Sequence, residues 1–188
     1  NAQTSDAEIG EAAEAAAASQ NHLTCLLIGI SPALPMYAYG ALPYGGMNVP
    51  DNWSELVAEA QHEQQNRVQK IEELLTKSNT SGDVQSVMCA TIDIKHRVAQ
   101  GARVSDEAFF ATSLRETPDI LREAAAGVLF RSPIGFRLNG SLSQVPNRIF
   151  VACDSSEAAA SAMHAALPYL KEAKEVVIGC VDPVMASD

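Results

Sequence analysis

The sequence predicts an α/β fold, a doubly wound parallel sheet with helices between its strands. Three observations lead there. Two apolar runs, Ile149 to Cys153 and Val176 to Val181, show no polar alternation, which suits strands buried on both faces of a parallel sheet. Residues 156–173 between them are alanine-rich and long enough to form the helical crossover that two parallel strands require. The same order of helix and strand recurs from residue 5 to residue 138.

The chain opens with Ser5-Asp-Ala-Glu-Ile-Gly-Glu-Ala-Ala-Glu-Ala-Ala-Ala-Ala-Ser19. Alanine has the highest helix propensity, Ser5 or Asp6 can cap the segment, and Glu8 falls in the first turn. His22 to Ile30 reads as a strand. Residues 31–50 carry four prolines and three glycines, which exclude regular structure. Tyr37, Tyr39 and Tyr44 in this loop are suited to stacking on a base or to a packed lid or dimer contact. No Gly-Lys-Ser/Thr follows Gly45-Gly46, so it is not a phosphate-binding P-loop.

The helix over 51–78 is the strongest, with Asp51 or Ser54 as cap and Val57, Ala60, Val68, Ile71, Leu74 and Leu75 on one face. Glu63 and Arg67, and Glu73 and Lys77, stand four apart as supporting pairs. A strand is expected over 84–92 and a short helix over 93–101. Thr117-Pro118 starts the next helix, with proline at its first position. Asn139 to Asn147 is a Gly/Ser/Pro linker. After it, 148–182 forms a strand-helix-strand unit, and Pro168 is expected to kink its helix.

Ile149-Phe-Val-Ala-Cys-Asp-Ser-Ser156, then Ala166-Leu-Pro-Tyr-Leu-Lys-Glu-Ala173, then Glu175-Val-Val-Ile-Gly-Cys-Val-Asp182 resembles the opening of a universal stress protein domain. That family's first strand ends in Asp-Gly-Ser and its second in a Val-Asp-like pair. Here Ser155 stands in place of the glycine. Ala102 to Thr112 resembles the family's fourth strand with its lead-in, and Arg131 to Leu138 resembles its fifth strand, so the resemblance implies strands in both stretches. The resemblance implies a tandem protein. Residues 1–139 would form a first domain lacking its opening strand, 140–147 a linker and 148–188 the start of a second domain. Both ends then look like cuts through a longer protein.

Nucleotide-binding members of that family cradle phosphates with Gly-x2-Gly-x9-Gly-Ser/Thr after the fourth strand. The matching stretch, Thr112 to Gly127, lacks those glycines, and Glu116 and Asp119 would repel phosphate. The first domain is therefore expected not to bind ATP in the family manner. The resemblance makes Asp154, Ser155 and the backbone at Val181 the candidate contacts for ATP or another adenine nucleotide. A helix cap is the other reading of Asp154, because Asp154 and Glu157 have capping-box spacing.

Composition narrows the remaining classes. A net charge of -10 argues against nucleic-acid or anionic-membrane partners, which need clustered Lys and Arg. No apolar run reaches the ~20 residues of a membrane span, and no signal peptide opens the chain. Cys25, Cys89, Cys153 and Cys180 sit singly in apolar runs and are expected as buried, reduced thiols of a cytoplasmic protein. His22, His62, His96 and His164 show no metal-ligand spacing. Asp93 and His96 suggest a surface hydrogen bond. No nucleophile or acid/base pattern is legible, so the expectation is a non-enzymatic stress-response module, a homodimer. The alternative is a dimerisation or interaction module without nucleotide.

Overall fold

The computed structural model describes residues 3–32, 51–138 and 146–180. The chain divides into two compact units, Asn1–Asn139 and Gly140–Asp188. The tyrosine-bearing loop, most of the linker and Val181 lie outside the described residues. Among the described residues three strand pairs form, all of them parallel, and each pair is bridged in sequence by helix.

In the first unit, helix α1 (Asp6–Ala18) is capped by Ser5, whose hydroxyl accepts the Glu8 N–H. Strand β1 (Leu23–Ile30) is joined through helix α2 (Trp53–Lys77) to β2 (Gly82–Cys89). Leu23 pairs with Gly82 and Ile30 with Cys89 at the two ends of the register. Successive side chains of a strand point to opposite faces, and β1 uses both. Leu27 packs with Ile9, Ala13, Ile71 and Leu75 from α1 and α2. Ile28 packs with Cys89 and with residues of the next two helices. Burial on both faces is therefore met at the centre of β1.

Helix α2 begins at Trp53 after Asn52, with no side-chain cap; neither Asp51 nor Ser54 serves. Its predicted apolar face is the buried or half-buried one. A polar residue, Gln64, is buried on that face as well. Arg67 does not serve Glu63 but turns to α1, where Nη1 meets Asp6 at 2.5 Å and Nη2 donates to the Thr4 carbonyl.

β2 ends three residues earlier than its apolar run suggests. Asp93 N–H closes a turn onto the Ala90 carbonyl, and helix α3 (Ile94–Ala102) follows. Ile94, fully buried, anchors that turn in the core. β3 is short, Ala108–Phe110. Helix α4 (Pro118–Arg131) starts on proline as expected but runs to Arg131, which sequence places in a strand. The last turn is held because Val128 is fully buried and Gly127 lies against the backbone of Lys95. A β-carbon at Gly127 would stand 2.5 Å from the Lys95 carbonyl oxygen. Ser132 ends the helix, its hydroxyl donating to Val128 O at 2.7 Å. β4 is then only Phe136–Leu138, with Phe136 tilted against Phe110 at 5.0 Å between rings.

The second unit holds β5 (Arg148–Cys153) and β6 (Glu175–Cys180), joined by α5 (Glu157–Ala165) and α6 (Leu167–Glu172). The expected single helix is two. Pro168 has no N–H to donate, and the break falls at Ala166, which puts the proline in the first turn of α6. The strands are not buried on both faces. Phe150 is 68% and Ile178 55% exposed, and adjacent Val177 and Ile178 leave both faces of β6 open. Arg148 and Glu175 pair across the start of the strands at 2.8 Å. This exposed pair adds little stability.

All four cysteines are free thiols, but only Cys89 is buried. Cys25 and Cys153 are half-buried and Cys180 is exposed. The expectation of buried thiols is corrected for those three, most plainly for Cys180 on β6.

Candidate functional site

Asp154 and Ser155 follow the carboxyl end of β5, where ligands of open parallel sheets bind. Ser155 has φ 64°, the left-handed region that favours glycine. That turn lets the chain leave the strand and enter α5. The cap of α5 is Ser156, not Asp154: the Ser156 hydroxyl accepts the Ala159 N–H at 3.1 Å. Asp154 instead accepts the Ser156 N–H at 2.9 Å, an Asx-turn two residues long. The capping box expected from Asp154 and Glu157 is thus replaced by two nested turns. Hydrogen bonds from the Ser156 side chain, and then its backbone N–H, hold the Asp154 carboxyl below its ordinary value of 3.8. Asp154 is an exposed anion. It suits the hydroxyl or amino donors of a nucleoside and repels phosphate. Glu157 in the first helical turn adds to that repulsion.

After β3, in the stretch set against the family's glycine motif, the first unit holds an anion of its own. The Thr112 backbone N–H and hydroxyl both donate to the Glu8 carboxylate. The Ser113 hydroxyl reaches Thr4 at 3.1 Å. Burial acts to raise the Glu8 carboxyl, but donors from Thr112 and Ser113 outweigh it and the group sits below its ordinary 4.5. A carboxylate from the same chain therefore occupies the amide that a bound anion would need.

A third constellation escaped the sequence reading. At the start of β1 and β2, the His22 Nδ1 lies 2.8 Å from the Ser81 hydroxyl and its Nε2 lies 3.0 Å from Asp83 Oδ1. Thr24 donates to the same Asp83 oxygen at 2.7 Å. Fifty-nine residues separate His22 from Ser81, so no local motif betrays them. The one sequence signal is alternation: Ser81 and Asp83 are two apart, as are His22 and Thr24, and each pair shares a strand face.

His96 bonds Gln100 at 3.3 Å rather than Asp93. Among the described residues, no group of three His, Cys, Asp or Glu side chains is placed to hold a metal ion. No helix among them is long and apolar enough to cross a membrane. Compared with protein-family models and with curated proteins, the chain matches none. What the fold defines is an α/β protein of parallel strand pairs and covering helices.

Proposed function

We propose that the chain is a stress-response module of the universal stress protein type, whose nucleotide site is non-catalytic. Its second unit takes the nucleoside part of an adenine nucleotide at Asp154 and Ser155, with the Val181 backbone as the third contact. The observation that carries this reading is the turn after β5. Ser155, at the position where that family has glycine, adopts the left-handed backbone that glycine favours. It leaves Asp154 exposed at the strand's carboxyl end. The first unit does not take nucleotide in this reading, because Glu8 satisfies the Thr112 donors.

The test is acid extraction of the purified protein and chromatography for adenine nucleotide, with added ATP as a capture control. Stoichiometric nucleotide that is lost in Asp154→Ala supports the reading. No nucleotide and no capture overturns it.

The second reading is a homodimer or interaction module without nucleotide. It is favoured by the exposed apolar side chains Phe150 and Val177, register partners on one face of the β5–β6 pair, and by Ile178 on the other. An apolar sheet face in water is characteristic of association surfaces. Sedimentation that gives a monomer at all concentrations would remove the homodimer.

A further inference from the structure

We propose that Ser81 is an activated nucleophile, with His22 as its base and Asp83 as the group that orients the base, and that activated acyl esters acylate it. This goes beyond the nucleotide-binding reading, does not rest on it, and lies in the other unit of the chain.

The pleat of the strands assembles the three groups. The Leu23 N–H bonds the Ser81 carbonyl at 2.8 Å, which fixes the register in which Leu23 faces Gly82. His22 and Ser81 are the residues just before that first pair and so lie side by side. Asp83 is two residues beyond Ser81, on the same face. His22 therefore has serine on one ring nitrogen and carboxylate on the other.

The chemistry sets the tautomer. A carboxylate only accepts, and Asp83 is held ionised by hydrogen bonds from Thr24, then His22, which lower its carboxyl. The proton of neutral His22 therefore sits on Nε2, donated to Asp83. Nδ1 is left as an acceptor, and its neighbour is the Ser81 hydroxyl. Nucleophile to base at 2.8 Å and base to orienter at 3.0 Å are the spacings of a working relay. The roles of the two ring nitrogens are exchanged relative to the serine protease arrangement, in which Nε2 faces the serine.

The constellation is open: His22 is 57% and Asp83 45% exposed. It suits compounds that carry their own activation, such as aryl esters. Ser81 Oγ attacks the ester carbonyl carbon as its proton passes to His22 Nδ1. The C–O bond to the aryl oxygen breaks, and the phenol leaves with that proton. Water, deprotonated by His22, then cleaves the acyl-serine to carboxylic acid and regenerates Ser81.

The experiment treats the full chain with an alkyl fluorophosphonate. Ser81 Oγ forms a bond to phosphorus while the P–F bond breaks, and fluoride leaves. Mapping by mass spectrometry is expected to place the adduct on Ser81, with exposed Ser19 as internal control. Replacing His22 by alanine is expected to slow labelling about 100-fold, the scale of general-base assistance, and free imidazole should restore part of the rate. Equal occupancy at Ser81 and Ser19, or an unchanged rate in His22→Ala with folding checked by circular dichroism, overturns the proposal. Asp83 is a positioning residue. Nitrogen NMR of His22 is expected to show the Nε2–H tautomer in the parent and a mixture in Asp83→Ala; an unchanged tautomer removes Asp83 from the relay.

Discussion

Gln64 fills the space above Gly29. The glutamine stands on the buried face of α2, bonds the Ser86 hydroxyl at 2.7 Å and reaches the Leu27 carbonyl at 3.4 Å. Its amide lies where a β-carbon on Gly29 would be. The buried amide has its partners, as a polar group in a core must, and the strand accommodates it by having no side chain there.

Gly29→Ala is therefore expected to lower stability by about 1–3 kcal/mol, the scale of overpacking in a core. In a Gln64→Ala background the same change should cost less, because the obstruction is gone. Denaturant unfolding of the four proteins of this cycle measures the coupling. Additive effects would show that the two side chains do not compete for space.

Ser155 offers the opposite case. Its left-handed φ of 64° disfavours a side chain. Ser155→Gly is expected to stabilise the second unit by about 0.5–1 kcal/mol, since glycine visits this region freely but loses more entropy on folding. Hydrogen exchange of the β5 and α5 amides is the readout, and weaker protection in the variant would refute the expectation.

The start of α1 should be acid-labile. Hydrogen bonds from Lys70 and then Arg67 hold the Asp6 carboxyl below 3.8, and Glu8 sits below 4.5 despite its burial. A carboxyl lowered by folding stabilises the native state fully above its unfolded value, and that contribution is lost as pH falls through the folded value. Thermal melts should thus begin to lose stability below about pH 4.5. The double variant Asp6→Asn, Glu8→Gln should be less stable at neutral pH and flatter in acid. A parent curve and a variant curve of equal slope would contradict this.

The thiols should react in order of their surroundings. Burial, and then the charge of Asp83, push the Cys25 thiol up to about 11, and burial likewise raises Cys89. Thiolate is the reactive form. A maleimide should therefore modify exposed Cys180 first, with Cys25 and Cys89 protected until the protein unfolds. Mapping modified peptides against time checks the order, and Cys25 labelling as fast as Cys180 would contradict it.

The local signals of this sequence determined much of its element order. Ser5 caps α1, Pro118 opens α4, and the apolar stripe of α2 from Val57 to Leu75 gives its inner face, because capping, fixed proline φ and periodicity act over a few residues. The parallel pairing of β1 with β2 and of β5 with β6 follows from the apolar runs and the helices between them. Tertiary contacts decided the rest. Arg131 remains helical because Val128 and Gly127 dock α4 against its neighbours. Arg67 pairs with Asp6, sixty-one residues away, rather than with the glutamate one turn before it. Above all, His22, Ser81 and Asp83 meet only because the register places Leu23 opposite Gly82. That register is held where Leu27 and Ile28 of β1 pack into clusters on opposite faces of the sheet, a long-range condition that no local stretch of sequence contains.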